Sequence, residues 1–139
     1  MNDVNEMSAP SRFINLDVVL KSNSDLAALF RHLDQDERVI ILTLEEDAGQ
    51  VLALELGGPM DQVPDVRSYT QRLLTIIDQL PDALLQLWKS CTSRTFSYGF
   101  EGGNGDPVLD TTIPVNLLIQ IGRIGADIGI TVYPHGTYD

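Results

Sequence analysis

Two short apolar runs on either side of a polar turn constrain this chain more than any other feature. Val39 to Leu44 is β-branched and almost continuously apolar, while Leu52, Leu54 and Leu56 alternate with Ala53 and Glu55 between Val51 and Leu56. Glu45 to Gln50, which contains a glycine, lies between them. Side chains of a strand alternate between its two faces, so the second run predicts a half-buried strand. The first run predicts a central strand covered on both sides. Together they predict an antiparallel hairpin. Such a hairpin needs further strands and a cover for its apolar face. The chain has 139 residues, the size of one domain, and with 43% apolar and 21% charged residues it has the makings of one core.

The rest of the sequence supplies those partners. Met1 to Ser11 is polar and aperiodic and reads as a loose tail, with the domain starting at about Arg12. Ile14, Leu16, Val18 and Leu20 alternate with polar residues as in a strand. Asn23, Ser24 and Asp25 offer capping oxygens to a short helix carrying Leu26, Leu29, Phe30 and Leu33. Pro64 and Asp65 open the longest helix, with Val66, Tyr69, Leu73, Ile76, Ile77 and Leu80 on one side. Pro81 has no amide hydrogen to continue it, so a kink or a second helix with Leu84, Leu85, Leu87 and Trp88 follows.

Arg94, Phe96, Tyr98 and Phe100 alternate with Thr95, Ser97 and Gly99 in another strand. Pro114 starts a helix that Gly125 ends, and Ile128, Ile130 and Val132 mark a last strand before Pro134. The predicted order is β-α-β-β-α-(α)-β-α-β. This is an α+β domain with a mainly antiparallel sheet of about five strands and helices on one face. Phe96, Tyr98 and Phe100 then belong either to the core or to an exposed aromatic patch on the open face.

Charge narrows the partners. Nine Lys and Arg stand against twenty Asp and Glu, a formal net charge of −11 that repels nucleic acid and anionic lipid. The same excess either keeps the protein dispersed or attracts a basic protein. Asp34, Asp36, Glu37, Glu45, Glu46 and Asp47 lie close in sequence and are the candidate contact residues. One cysteine, Cys91, permits no internal disulfide and suits a reducing compartment. The start lacks the basic and apolar segments of a secretion signal, and no apolar run is long enough to span a bilayer, so a cytoplasmic location is expected.

No motif declares an enzyme. His32 and His135 have no recognisable nucleophile or third ligand beside them and read as solvated histidines. Cys91, between Lys89 and Arg94, is either an activated thiol or a small apolar packing residue, and burial beside Trp88 favours the second. The loop Glu101 to Thr112 is rich in glycine but lacks the Lys and Ser/Thr of a phosphate-binding loop, and its acids lack the spacing of a calcium loop. Tyr98, Phe100, Glu101, Asn104, Asp106 and Asp110 are the residues that a ligand site near this loop would use. No cofactor or metal is expected.

The C-terminal stretch Ile113 to Pro134, IPVNLLIQIGRIGADIGITVYP, resembles the end of a family of small bacterial α+β domains of unknown function. The resemblance rests on Pro114, Gly125, Asp127, Ile128, Ile130, Val132 and Tyr133, and extends to the helix break at Pro81. It implies the fold and brings no catalytic residues. The leading expectation is therefore a non-catalytic acidic binding protein, of the kind an immunity protein represents. The alternatives are a ligand-binding or enzymatic domain using residues 101–112, and a homo-oligomer, such as a homodimer, built on the aromatic face or a sheet edge.

Overall fold

The computed structural model describes residues 9–46, 49–57, 63–105 and 107–137. In chain order the elements are β1 (Arg12–Ser22), α1 (Ala27–Asp34), β2 (Val39–Glu45), β3 (Gln50–Leu56), α2 (Val66–Asp78), α3 (Asp82–Ser90), β4 (Ser93–Glu101), α4 (Val115–Arg123) and β5 (Asp127–Tyr133). This is the predicted order and an α+β fold. The sheet runs β2-β3-β1-β4-β5. Three of its pairings are antiparallel and β4–β5 is parallel, so the sheet is mixed. A parallel pair needs a crossover, and α4 is that crossover.

Alternation on the central strand divides the two faces. Leu16, Val18 and Leu20 are fully buried under the helices with Leu52, Leu54, Phe96 and Tyr98 from the neighbouring strands. Asp17 points the other way, and its register partners on that side are Glu55 and Ser97. A bulge between Phe13 and Asn15 returns Phe13 to the core side, where its ring meets Tyr69 edge-on at 5.7 Å. Phe96 and Tyr98 therefore lie beneath the helix layer, and the open face of the sheet is polar.

The helix ends follow local chemistry. The Asp65 side chain accepts from the Ser68 amide at 2.9 Å and caps α2, and Asp25 accepts from the Ala27 amide at 2.9 Å ahead of α1. Pro81 stands at the N-cap of α3, so the predicted break is a second helix. Gly125 ends α4 at a φ of +71°, a backbone state that costs glycine nothing. The Trp88 indole donates to the Ile124 carbonyl at 2.9 Å and ties α3 to that end.

Two expectations are corrected. Val39 to Leu44 forms the sheet edge β2, not a central strand: Val39 is buried, but Ile40 and Leu42 are about half exposed. Near-continuous apolar character here reflects a row under α1 plus an exposed row, which periodicity does not separate. Of the tail expected over residues 1–11, residues 1–8 lie outside the described residues, and 9–11 are held: the Ala9 amide donates to Asn104 Oδ1 at 2.6 Å and Ser11 Oγ accepts from the Gly103 amide at 2.9 Å.

Candidate functional site

The two edges of the sheet differ in kind. On β2 the register breaks at a bulge between Ile41 and Thr43, and the exposed acids Glu45 and Glu46 follow the exposed Leu42. Bulges and charges are the usual means of keeping an edge from pairing with another chain. On β5 the register with β4 is unbroken from Thr95 and Asp127 to Glu101 and Tyr133. Between Asp127 and Tyr133 the strand reads IGITV, with no charge and no proline. Its edge is regular, and its one charge, Asp127, stands at the strand's start.

Ile128, Ile130 and Val132 sit opposite Phe96, Tyr98 and Phe100, on the face that carries the core. A row in that position ordinarily goes under a helix. Here Ile130 is 68% and Val132 65% exposed, and Ile128 is also exposed. The Tyr133 carbonyl accepts from the Gly102 amide at 2.7 Å on the β4 side. Backbone groups alternate in direction along a strand, so those of Ile128, Ile130 and Val132 point away from the sheet.

Helix α4 carries exposed apolar side chains as well. It buries Leu117 and Ile121, and its flank with Asn116, Gln120 and Arg123 borders the shallow groove beside α2. Helical spacing puts Leu118 on the opposite flank, and Val115 and Ile119 on the outer surface away from the buried pair. All three are exposed. The α2 side of the helix is thus polar, and its outer surface carries exposed apolar side chains.

The acids singled out from the sequence do not form one patch. Asp34 and Glu37 are exposed near the start of β2, and Glu45 and Glu46 are exposed at its end, a strand length of roughly 20 Å away. Asp36 is paired with Arg38 at 2.7 Å, and the Arg38 hydrogen bonds hold its carboxyl below the usual range. Asp47 lies outside the described residues.

The residues proposed around the 101–112 loop do not converge either. Tyr98 is buried, with its hydroxyl 2.6 Å from Thr70 Oγ1, and burial raises its pKa. Phe100 is half-buried against Phe13. Glu101 points to the other face, buried and paired with Arg12 at 2.9 Å. Asn104 is bound to Ala9, Asp110 is exposed, and Asp106 lies outside the described residues.

Comparison with family models, with curated proteins and with solved structures finds no match. Among the described residues, no group of three or more His, Cys, Asp or Glu could hold a metal ion. No helix among them is long and apolar enough to cross a membrane. Cys91 is buried, and burial raises its thiol pKa against the opposing pull of Arg94. His32 and His135 are exposed.

One titratable group stands out. Asp17, at the centre of the polar sheet face, has its pKa raised to about 6, first by burial and then by Glu55 beside it. Its Oδ1 is buried and has no hydrogen-bond partner among the described residues. A carboxyl of this kind is costly when charged. Sequence periodicity put Asp17 on the polar side of its strand, but the pairing with Glu55 depends on which strand lies alongside.

Proposed function

We propose that this chain is a non-catalytic protein-binding domain whose contact surface is the β5 edge. One observation carries the reading: a row of three apolar side chains on the core side of an edge strand, Ile128, Ile130 and Val132, is left exposed. Large apolar residues grouped on a surface mark interaction sites, and a regular edge with free amide and carbonyl groups is ready to accept another strand.

A second reading, capture of a basic partner in the manner of an immunity protein, is favoured by a different observation. The exposed acids Asp34, Glu37, Glu45 and Glu46 flank β2, where Ile40 and Leu42 present an apolar strip about half exposed. Charges at the rim would speed encounter with a positive surface, and the strip would supply the contact.

A tagged chain used to retain proteins from lysate at low and moderate salt separates the two. For the β5 surface, retention persists at moderate salt and is lost in Ile130→Lys. For the acidic surface, retention falls with salt and is lost when Glu45 and Glu46 are both replaced by Gln. Retention indifferent to all of these changes would contradict both.

A further inference from the structure

We infer that Asn104 is a site of spontaneous covalent modification, where the side-chain amide is lost as ammonia by ring closure onto Gly105, and that the isoaspartyl product releases residues 9–11 from this loop. The inference is independent of the reading of β5 as a binding surface.

Asparagine is one of the thermolabile residues of proteins. Its side-chain Cγ can be attacked by the backbone nitrogen of the residue that follows, and a following residue without a Cβ leaves that approach open. Asn104 is the one asparagine of the chain that precedes a glycine. Both Asn104 and Gly105 are exposed, so water and base reach them.

The fold separates Asn104 from the other described asparagines. Among the described residues, no hydrogen bond engages the Gly105 nitrogen or Asn104 Nδ2. The corresponding nitrogen is held elsewhere: the Ser24 amide after Asn23 donates to Ser22 Oγ at 2.9 Å, and the Leu117 amide after Asn116 donates to the Pro114 carbonyl at 3.0 Å. Asn15 lies within β1, between two paired strands. At Asn104 the Ala9 amide also donates to Oδ1 at 2.6 Å. Negative charge builds on this oxygen as the ring closes, and a donor already in place stabilises it.

The step balances with water alone. Base removes the Gly105 amide proton, the nitrogen bonds to Asn104 Cγ, and the bond from Cγ to Nδ2 breaks as Nδ2 takes up a proton and leaves as ammonia. The resulting succinimide then adds water. Addition at Cγ opens the ring to an aspartyl residue. Addition at the former main-chain carbonyl leaves Gly105 attached through Cγ, which is the isoaspartyl product. In both products a neutral amide has become a carboxylate.

The two products act differently on residues 9–11. An aspartyl side chain still offers an oxygen to the Ala9 amide, now with a full charge behind it. In the isoaspartyl product the former side chain is main chain, lengthened by one carbon, and Oδ1 turns toward Gly105. The loop has no slack to absorb this. A Cβ at Gly103 would already overlap the Ala9 oxygen, the Pro10 carbonyl carbon and the Ser11 nitrogen. On the other side, Gly102 is tied to the Tyr133 carbonyl at 2.7 Å. The displacement therefore falls on the contact with Ala9 and Ser11.

The test is to age the purified full chain in mildly alkaline buffer and map the sites of amide loss by peptide mass spectrometry, with an isoaspartate-directed methyltransferase reporting the isoaspartyl fraction. Amide loss is expected at Asn104 well ahead of Asn23, faster in alkaline than in mildly acidic buffer, and severalfold slower in Gly105→Ala. Hydrogen exchange of the Ala9 and Gly103 amides, followed by NMR, reads the second half of the proposal. Protection of both should fall in proportion to the isoaspartyl fraction, while Asn104→Asp, which matches the aspartyl product, keeps Ala9 protected. No amide loss at Asn104, or loss there no faster than at Asn23, would overturn the site. Unchanged protection of Ala9 and Gly103 in isoaspartyl-rich protein, or equal loss of it in Asn104→Asp, would overturn the release.

Discussion

Thr70 on α2 and Tyr98 on β4 share a 2.6 Å hydrogen bond beneath the helix layer, where both residues are essentially inaccessible to water. Thr70 donates to the Val66 carbonyl at 2.7 Å, so the phenol donates to the threonine oxygen. The two polar groups satisfy one another in an otherwise apolar core. Tyr98→Phe removes one donor and leaves an acceptor bare, and is expected to cost about 1 to 2 kcal/mol. Thr70→Val leaves the buried phenol without its acceptor and should cost up to about 3 kcal/mol. Urea denaturation midpoints at unchanged slope are the measurement.

Asp17 and Glu55 give the fold a pH dependence of defined sign. In the folded chain Asp17 holds its proton up to a pH of about 6. An unfolded aspartate releases its proton near 3.9, so the native state binds the proton more tightly. The cost of ionising Asp17 is absent at pH 3.9 and below, grows as pH rises toward 6, and is complete above that. Asp17→Asn should therefore stabilise the protein at pH 8, by on the order of 1 to 2 kcal/mol after allowance for partial solvent screening, and have little effect near pH 4. Thermal melts of both proteins across this range check it; an equal effect at both ends would contradict the assignment.

Arg94 closes the ends of two helices. Its guanidinium donates to the carbonyls of Trp88 at 3.1 Å in the last turn of α3 and Cys91 at 2.6 Å just after it, and to Gly125 at 2.9 Å beyond α4. Carbonyls at helix ends need such partners. Arg94→Ala should destabilise by about 2 to 3 kcal/mol in chemical denaturation. Gly125→Ala forces an L side chain into a left-handed conformation, with its Cβ 3.1 Å from the Arg94 guanidinium. About 1 to 2 kcal/mol is expected.

Local signals carried the element order. Pro81, Asp65 and Gly125 act at the ends of helices as their chemistry dictates, and alternation in β1, β3 and β4 separates core from surface. What failed is what depends on neighbours. Val39 to Leu44 has the composition of a central strand, but no pattern within it records that β2 has a neighbour on one side only. Ile128, Ile130 and Val132 have the alternation of a covered strand, and no pattern within it records that they are left exposed. Acids close in sequence at Asp34 to Glu37 and Glu45 to Glu46 are separated because the strand between them is extended. The candidate site is thus visible in the sequence as an apolar strand and becomes a surface only in three dimensions.

The central claim is that β5, and no other edge, is where this molecule meets its partner. A photoreactive residue placed at Val132 in one chain and at Ile40 in another, illuminated in cells, tests it directly, since both positions are exposed apolar sites on opposite edges. A discrete adduct is expected from the Val132 position and none of comparable yield from Ile40. Adducts from Ile40 alone, or none from either position, would contradict it.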